Sequence, residues 1–306
     1  MEERRFEVEA KFGVIISVLG YVPEEVKGVI HIFHGMGEHK ERYMNFMKWI
    51  SKKGYAVFAH DHRKHGESID KEFYSVGEFT DADRFEYLID DAHYIVRQLK
   101  DEFKGVPYTL LGHSMGSIIA RRYLTKYATY IDAAIIMGTL PIIKSGKVFL
   151  PKLIAKTIKL FKGNKISPFL SEMLNKPLLK GMENPETDFD WLSTDEKQVE
   201  KYINDPLSGY AYTPTFYIEF LDMCVKVNKS EIISEGKDIP ILFVSGKADP
   251  VGENGEGVRD VYELYNAHGY FQLTLKLMPD FRHEILNEKK KMTTYKLIDE
   301  WLTASL

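Results

Sequence analysis

Covalent chemistry is best suited, by residue type and spacing, to the run Gly112-His113-Ser114-Met115-Gly116. The run follows a short apolar segment, Tyr108 to Leu111, and opens a helical pattern that continues to Tyr127. Ser114 is therefore expected on a sharp strand-to-helix turn, with its hydroxyl raised above a sheet edge. Small residues at 112 and 116 relieve the crowding of such a turn. The N–H groups that begin the helix, that of Met115 among them, favour negative charge beside Ser114. A serine hydroxyl attacks only when a base removes its proton. Of the ten histidines, His283 is the candidate base, because it falls just after the last predicted strand, in a loop at the carboxyl end of the sheet. His113 precedes the serine and is expected to point away from it, while His31 and His93 lie inside a predicted strand and a predicted helix. A carboxylate must hold the imidazole in one tautomer. Asp249 follows the apolar run Ile241 to Val244 at the same edge, whereas Asp238 precedes that run. The tetrahedral intermediate of acyl transfer needs two amide donors. Met115 is one candidate, and Met36 in His34-Gly35-Met36-Gly37-Glu38-His39, where glycines let the backbone turn sharply, is the other.

The elements that must carry these groups are legible as alternation. Phe6 to Phe12 and Val14 to Leu19 alternate apolar with polar residues around Gly13, which predicts an antiparallel hairpin. Continuous apolar runs follow at Val29 to Phe33, Tyr55 to Ala59, Tyr108 to Leu111, Ala133 to Met137, Ile241 to Val244 and Phe271 to Leu277, as expected of parallel strands covered on both faces. Helical patterns at 42–52, 81–103, 115–127, 257–268 and 284–303 separate them. The expectation is an α/β fold with a mostly parallel central sheet flanked by helices. Between Pro141 and about Gly236 the alternation lapses into short helical pieces punctuated by proline, which divides the chain into a core of residues 1–140 and 237–306 and an inserted helical lid of residues 141–236.

Charge within the insertion is lopsided: residues 141–180 hold nine lysines and one acid, residues 181–236 four lysines and twelve acids. Val148, Phe149, Leu153, Ile154, Ile158 and Phe161 fall on one helical face opposite Lys152, Lys156 and Lys159. Such a helix either packs on its own core or lies on an anionic lipid surface.

Taken together, His34-Gly35-Met36-Gly37-Glu38-His39, Asp61-His62-Arg63-Lys64-His65-Gly66-Glu67-Ser68, Gly112-His113-Ser114-Met115-Gly116, Asp249-Pro250-Val251-Gly252 and Arg282-His283-Glu284-Ile285-Leu286-Asn287-Glu288 resemble the α/β-hydrolases of the monoacylglycerol lipase and bacterial lysophospholipase group. The resemblance spans the core and implies a triad of Ser114, Asp249 and His283, an oxyanion hole at Met36 and Met115, and a helical lid. Lys64 is a departure, since the family usually has glycine there. Inside the insertion only Asn204-Asp205-Pro206-Leu207 looks familiar. The implied activity is hydrolysis of carboxylic acyl esters, with Leu170, Met173 and Leu174 as candidates for an apolar acyl tunnel. Monoacylglycerol, lysophospholipid, a small xenobiotic ester and a peptide amide all stay open as substrates.

Composition removes other classes. A chain of 306 residues buries roughly three quarters of the surface its unfolded form exposes and needs no disulfide or metal to fold. The single cysteine, Cys224, rules out an internal disulfide and a cysteine-built zinc site. A formal net charge of -4 argues against a nucleic-acid partner. The charged N-terminal residues show no secretory signal, and the longest apolar run, Ala133 to Ile143, is far short of the roughly 20 residues that span a bilayer, so a cytoplasmic protein is expected. Two rival readings stand beside the serine mechanism. One is a noncatalytic ligand-binding member of the same fold. The other is a metallohydrolase using His60, His62 and His65, against which Lys64 occupies the place of a metal-binding carboxylate. The preferred reading calls for no metal and no cofactor.

Overall fold

The computed structural model describes residues 1–69 and 75–306. Eight strands form one sheet: β1 (Glu2–Glu9), β2 (Ile15–Val22), β3 (Gly28–Phe33), β4 (Tyr55–His60), β5 (Tyr108–His113), β6 (Ala133–Met137), β7 (Ile241–Gly246) and β8 (Leu273–Met278). Their order is β1-β2-β4-β3-β5-β6-β7-β8. β1 pairs antiparallel with β2, and β2 with β4; every later pairing is parallel. The apolar runs become strands for a simple reason. Every residue of β3 to β7 is buried, so both faces must be apolar, while β1 at the edge alternates exposed and covered positions.

Helices cover both faces. One apolar cluster joins the sheet to α2 (Glu86–Glu102), α3 (Met115–Lys126), α7 (Pro214–Lys226) and α9 (Glu256–Ala267). The other joins its opposite face to α1 (Met44–Ser51) and α10 (Lys291–Ser305). From β6 the chain passes to β7 through α4 (Ser145–Lys162), α5 (Pro168–Asn175), α6 (Glu196–Asn204), α7 and α8 (Ser230–Ile233), adding no strand among the described residues. The strand order reverses direction at β3, which lies between β4 and β5. In open α/β sheets ligands bind in the crevice at the carboxyl ends of the strands beside such a reversal. The loop carrying Met36 leaves β3 there, and Ser114 leaves β5.

Three helices start later than their apolar periodicity predicts. α1 begins at Met44 rather than Arg42, α2 at Glu86 rather than Asp81, and α10 at Lys291 rather than Glu284. In the last case tertiary bonds hold residues 284–288 out of the helix: the Glu284 N–H donates to Leu192 O (2.7 Å), and the Glu288 carboxylate accepts from the N–H groups of Arg282 and Thr194. The apolar face read on α4 is also divided. Val148 and Ala155 are buried and Ile154 and Ile158 are half covered, but Phe149 is 70% exposed and Phe161 80%.

Lys64 takes the left-handed conformation that glycine usually supplies, with φ 64°. Its loop is fixed by the buried Asp61 carboxylate, which accepts from the N–H groups of Lys40 and Glu67 (both 2.8 Å) and from Lys40 Nζ (2.6 Å).

Candidate active site

The Ser114 turn is strained in the manner its sequence predicts. Its backbone lies at φ 53°, ψ −119°, a region that a side chain occupies only under constraint. The flanking glycines have no room for a Cβ. At Gly112 it would stand 2.4 Å from Gly116 O, and at Gly116 it would stand 2.0 Å from Phe33 O. Ser114 N–H donates to Met137 O (3.0 Å), which ties the elbow to the neighbouring strand β6.

The structure brings Asp249 and His283 together. His283 Nδ1 lies 2.9 Å from Asp249 Oδ2, and both side chains are buried. Asp249 also accepts from the Ser245 hydroxyl (3.0 Å) and the Val251 N–H (2.9 Å). Burial alone would raise the Asp249 pKa, but the His283 charge and hydrogen bond, with those two donors, hold it below the usual carboxylate range. The carboxylate therefore stays ionised and, by accepting from Nδ1–H, orients the ring with Nε2 on the side away from it. The Trp191 ring packs on the imidazole at 5.2 Å. Ser114 and Trp191 line one cavity of about 40 Å³ together with Met36, Leu174, Tyr202 and Tyr212. No hydrogen bond joins Ser114 Oγ to His283.

Of the other expected positions, Met115 is buried directly after the elbow, and Met36 and Leu174 line the cavity. Leu170 is buried in the main apolar cluster and Met173 packs against it, and neither reaches the cavity. The walls are mostly aromatic and polar rather than aliphatic, with Tyr210, Tyr217, Ser171 and Asn175 also among them. The volume is far below the roughly 300–1,000 Å³ of typical ligand pockets. An outer depression of about 290 Å³ shares Ser171, Asn175 and Gly209 with it.

The loop after β3 is held peptide by peptide. Gly35 N–H donates to Glu38 Oε1 (2.5 Å), Gly35 O accepts from His34 Nδ1 (2.8 Å), and Gly37 N–H donates to the Tyr212 hydroxyl (2.6 Å). Between them the Met36 N–H makes no hydrogen bond among the described residues. Beneath the loop, Glu38 also accepts from Tyr43 Oη (2.7 Å) and from His113 Nδ1 (3.1 Å). Arg42 bridges Glu38 (3.2 Å) and Glu284 (2.5 Å). His113 does not simply point away from the site. Its Nε2 donates to His283 O (3.3 Å) and its ring lies 4.7 Å from that of His283. With Nδ1 on a carboxylate and Nε2 on a carbonyl, both nitrogens donate, which requires an imidazolium. Burial would lower the His113 pKa, but Glu38 raises it above the ordinary value; the same pairing, with Arg42, carries Glu38 well below its own despite burial.

The histidines read as a rival metal cluster face one another instead. Tyr108 Oη donates to His31 Nδ1 (3.0 Å), His31 Nε2 to His60 Nδ1 (2.9 Å), His60 Nε2 to His62 Nδ1 (3.0 Å), and His62 Nε2 to His34 O (3.2 Å). The terminal carbonyl can only accept, so it dictates every tautomer in the row. Burial lowers the pKa of each ring, His31 to about 3, so all stay neutral. His65 has Nδ1 on Arg63 O and Nε2 on Tyr212 Oη (both 2.9 Å), and no group able to hold a metal forms among the described residues.

Sequence reasoning missed Trp191, Tyr202 and Tyr212. They lie in the insertion, where aromatic residues follow no local pattern, and Tyr212 meets its partner across 175 residues. Glu38 and Arg42, four apart and beside the Met36 loop, carried a usable signal.

Residues 24–290 match the serine aminopeptidase S33 family of hydrolases. The monoglyceride lipase of Mus musculus is 25% identical over 280 residues, 90% of this chain and 82% of that protein. The monoacylglycerol lipase of Mycolicibacterium smegmatis is 25% identical over 96% of this chain and 95% of its own. Among solved structures, a thermostable carboxyl esterase from Bacillus coagulans in complex with glycerol superposes with a TM-score of 0.88 at 26% identity, covering 100% of this chain and 99% of that one. The chain belongs to the serine aminopeptidase S33 family, within the monoacylglycerol lipase group of α/β-hydrolases, and is a carboxylic ester hydrolase. No helix among the described residues is long and apolar enough to cross a membrane.

Proposed function

We propose that this chain cleaves acyl esters of the monoacylglycerol or lysophospholipid type by a serine mechanism. His283 Nε2 takes the Ser114 proton as Oγ attacks the ester carbonyl carbon, and the Met36 and Met115 N–H groups receive the oxyanion. The intermediate collapses, the C–O bond breaks, and the alcohol leaves with the proton from His283. Water then attacks the acyl-enzyme, giving up its proton to His283, and the acid departs as that proton returns to Ser114. Asp249 holds the imidazole throughout. The observation that carries this reading is the strained Ser114 elbow, wedged between two glycines at the wall of a cavity shared with Met36. Fluorophosphonate labelling tests it: the native protein labels and Ser114→Ala does not. Equal labelling of the variant makes another residue the nucleophile. Esters and amides of one acyl group, assayed side by side, separate an esterase from a peptidase.

The small cavity supports reading residues 141–236 as a lid that opens, and movement of α5, which carries Ser171 and Asn175, would merge the cavity with the outer depression. A chain-length series of monoacylglycerols measures the space so formed; activity confined to acetate is incompatible with a lipid substrate. The exposed Phe149, Leu150, Leu153, Leu160 and Phe161 of α4, interleaved with Lys156 and Lys162, favour a second element of the reading, docking of the lid on anionic lipid.

A further inference from the structure

The loop that carries Met36 is fixed from two directions. From the core, Glu38 binds the Gly35 N–H and His34 Nδ1 binds the Gly35 carbonyl. From the insertion, Tyr212 binds the Gly37 N–H at 2.6 Å and the Gly209 N–H binds the Gly37 carbonyl at 2.9 Å. A third tie lies one turn on, where His39 Nε2 meets Asp205 Oδ2 at 2.6 Å. Gly37 itself sits at φ 65°, a conformation with no steric preference to hold it, so these bonds set the direction of the peptides on either side of Met36.

The Tyr212 hydroxyl is oriented by its contacts with His65 and Gly37. His65 Nδ1 faces Arg63 O, a pure acceptor, so that nitrogen carries the ring proton and His65 Nε2 can only accept. Tyr212 Oη therefore donates to His65 and turns its lone pairs toward the Gly37 N–H. Its ring is 1% exposed and stacks on Phe216 at 3.8 Å, and the Tyr212 carbonyl accepts from the Ser167 N–H at 2.9 Å. These contacts hold the ring in place beside the loop.

We propose that Tyr212, oriented by His65, is a positioning residue for the oxyanion hole, holding the Met36–Gly37 peptide so that the neighbouring Met36 N–H points at the ester oxygen above Ser114. This inference rests on the serine-esterase reading and deepens it: part of the hole is built by the insertion, so lid and catalytic rate are coupled through one phenol. The coupling acts in the transition state, where the hole binds charge, and little in the ground state.

The test compares kcat, KM and inhibition by an alkyl trifluoromethyl ketone, whose serine adduct places an oxyanion in the hole. In Tyr212→Phe, which keeps the stacked ring, kcat on nitrophenyl acetate and on a long-chain nitrophenyl ester is expected to fall about tenfold to a hundredfold, below the full loss of one donor. KM should stay within about twofold, and the ketone's inhibition constant should rise in step with the loss in kcat. His65→Phe, which leaves the hydroxyl present but undirected, should show the same split at a smaller size, and it carries the test if Tyr212→Phe does not melt as the native protein does. A native-like kcat in a folded Tyr212→Phe protein overturns the proposal, as does a loss confined to KM or one that leaves ketone affinity unchanged. Failure of the underlying reading looks different: the native protein would resist the ketone, or Ser114→Ala would retain turnover.

Discussion

The two halves of the insertion meet the rest of the molecule in opposite ways. From Asp190 to Tyr212 the chain is tied by polar bonds to both loops of the site. Arg282 Nη1 donates to Asp190 O (2.6 Å) and Glu284 N–H to Leu192 O on the His283 side, while Gly209, Tyr212 and Asp205 grip the Met36 side. From Ser145 to Lys162 the chain leans on the molecule with a narrow stripe, Val148 and Ala155, and turns several large apolar side chains outward. Lys152 pairs with Asp222 and Lys159 with Asp81 (2.7 Å), both near the surface. Buried, directional bonds in the first half fix atomic positions; exposed ion pairs in the second fix little. Catalytic geometry should therefore depend on residues 190–212, and access to lipid on residues 145–162.

The largest effect that could break this comparison comes from Arg42→Ala. It leaves Glu284 buried without its cation and Glu38 with His113 alone, and removing one partner of such a cluster costs about 3–5 kcal/mol. Urea unfolding should show that loss, together with strongly reduced turnover of every ester. A stability change under about 1 kcal/mol would mean the loops are held by something else.

Acidity probes the same cluster. Glu38 has a depressed pKa, so its contribution is present above its ordinary 4.5 and is lost as pH falls; His113 has a raised one, so its contribution is present below 6.5 and is lost as pH rises through the folded value. The stability gap between the native protein and Glu38→Gln should be widest between about pH 4.5 and 6.5 and narrow on both sides. A gap independent of pH would contradict the imidazolium at His113.

Asp205→Ala removes the partner of His39 together with the acceptor of the Leu207 N–H and the Ser208 hydroxyl, an expected loss of about 1–2 kcal/mol. Its signature is a lower kcat on dissolved short esters as well as long ones. Lys152→Ala, on the other half, should cost less than about 1 kcal/mol and leave short-ester kinetics unchanged. The smallest effect on stability belongs to the pair Phe149→Ser and Phe161→Ser, within about 0.5 kcal/mol. Flotation with anionic vesicles should nevertheless fall, and unaltered flotation would assign those side chains another role.

The parts of this molecule that were legible in sequence are those whose cause is local. Ser114, Asp249, His283 and Met36 each sit a few residues past an apolar strand, so a strand's end places them without knowledge of the rest. The Ser114 elbow was legible because two glycines bracket it. The start of α10 was not, because the periodicity of residues 284–290 is helical while their hydrogen bonds belong to Leu192, Thr194 and Arg42. The acyl-tunnel candidates divide for the same kind of reason. Leu170, Met173 and Leu174 lie on one short helix, and only packing decides that Leu174 turns to the cavity while Leu170 turns to the core. α4 shows the reverse: its sequence has an apolar arc wider than the stripe the fold covers, and period alone says nothing of how much of an arc is used.

The row from Tyr108 to the His34 carbonyl has a further consequence. A proton added to His60 at Nδ1 would meet the N–H already presented by His31 across 2.9 Å, and relief would come only if His31 exchanged its tautomer and Tyr108 turned its hydroxyl about. The bonds of this row are all aligned toward the peptide that precedes Gly35, each polarising the next. The row thus links a tyrosine at the start of β5 to the carbonyl before Gly35 through neutral rings alone.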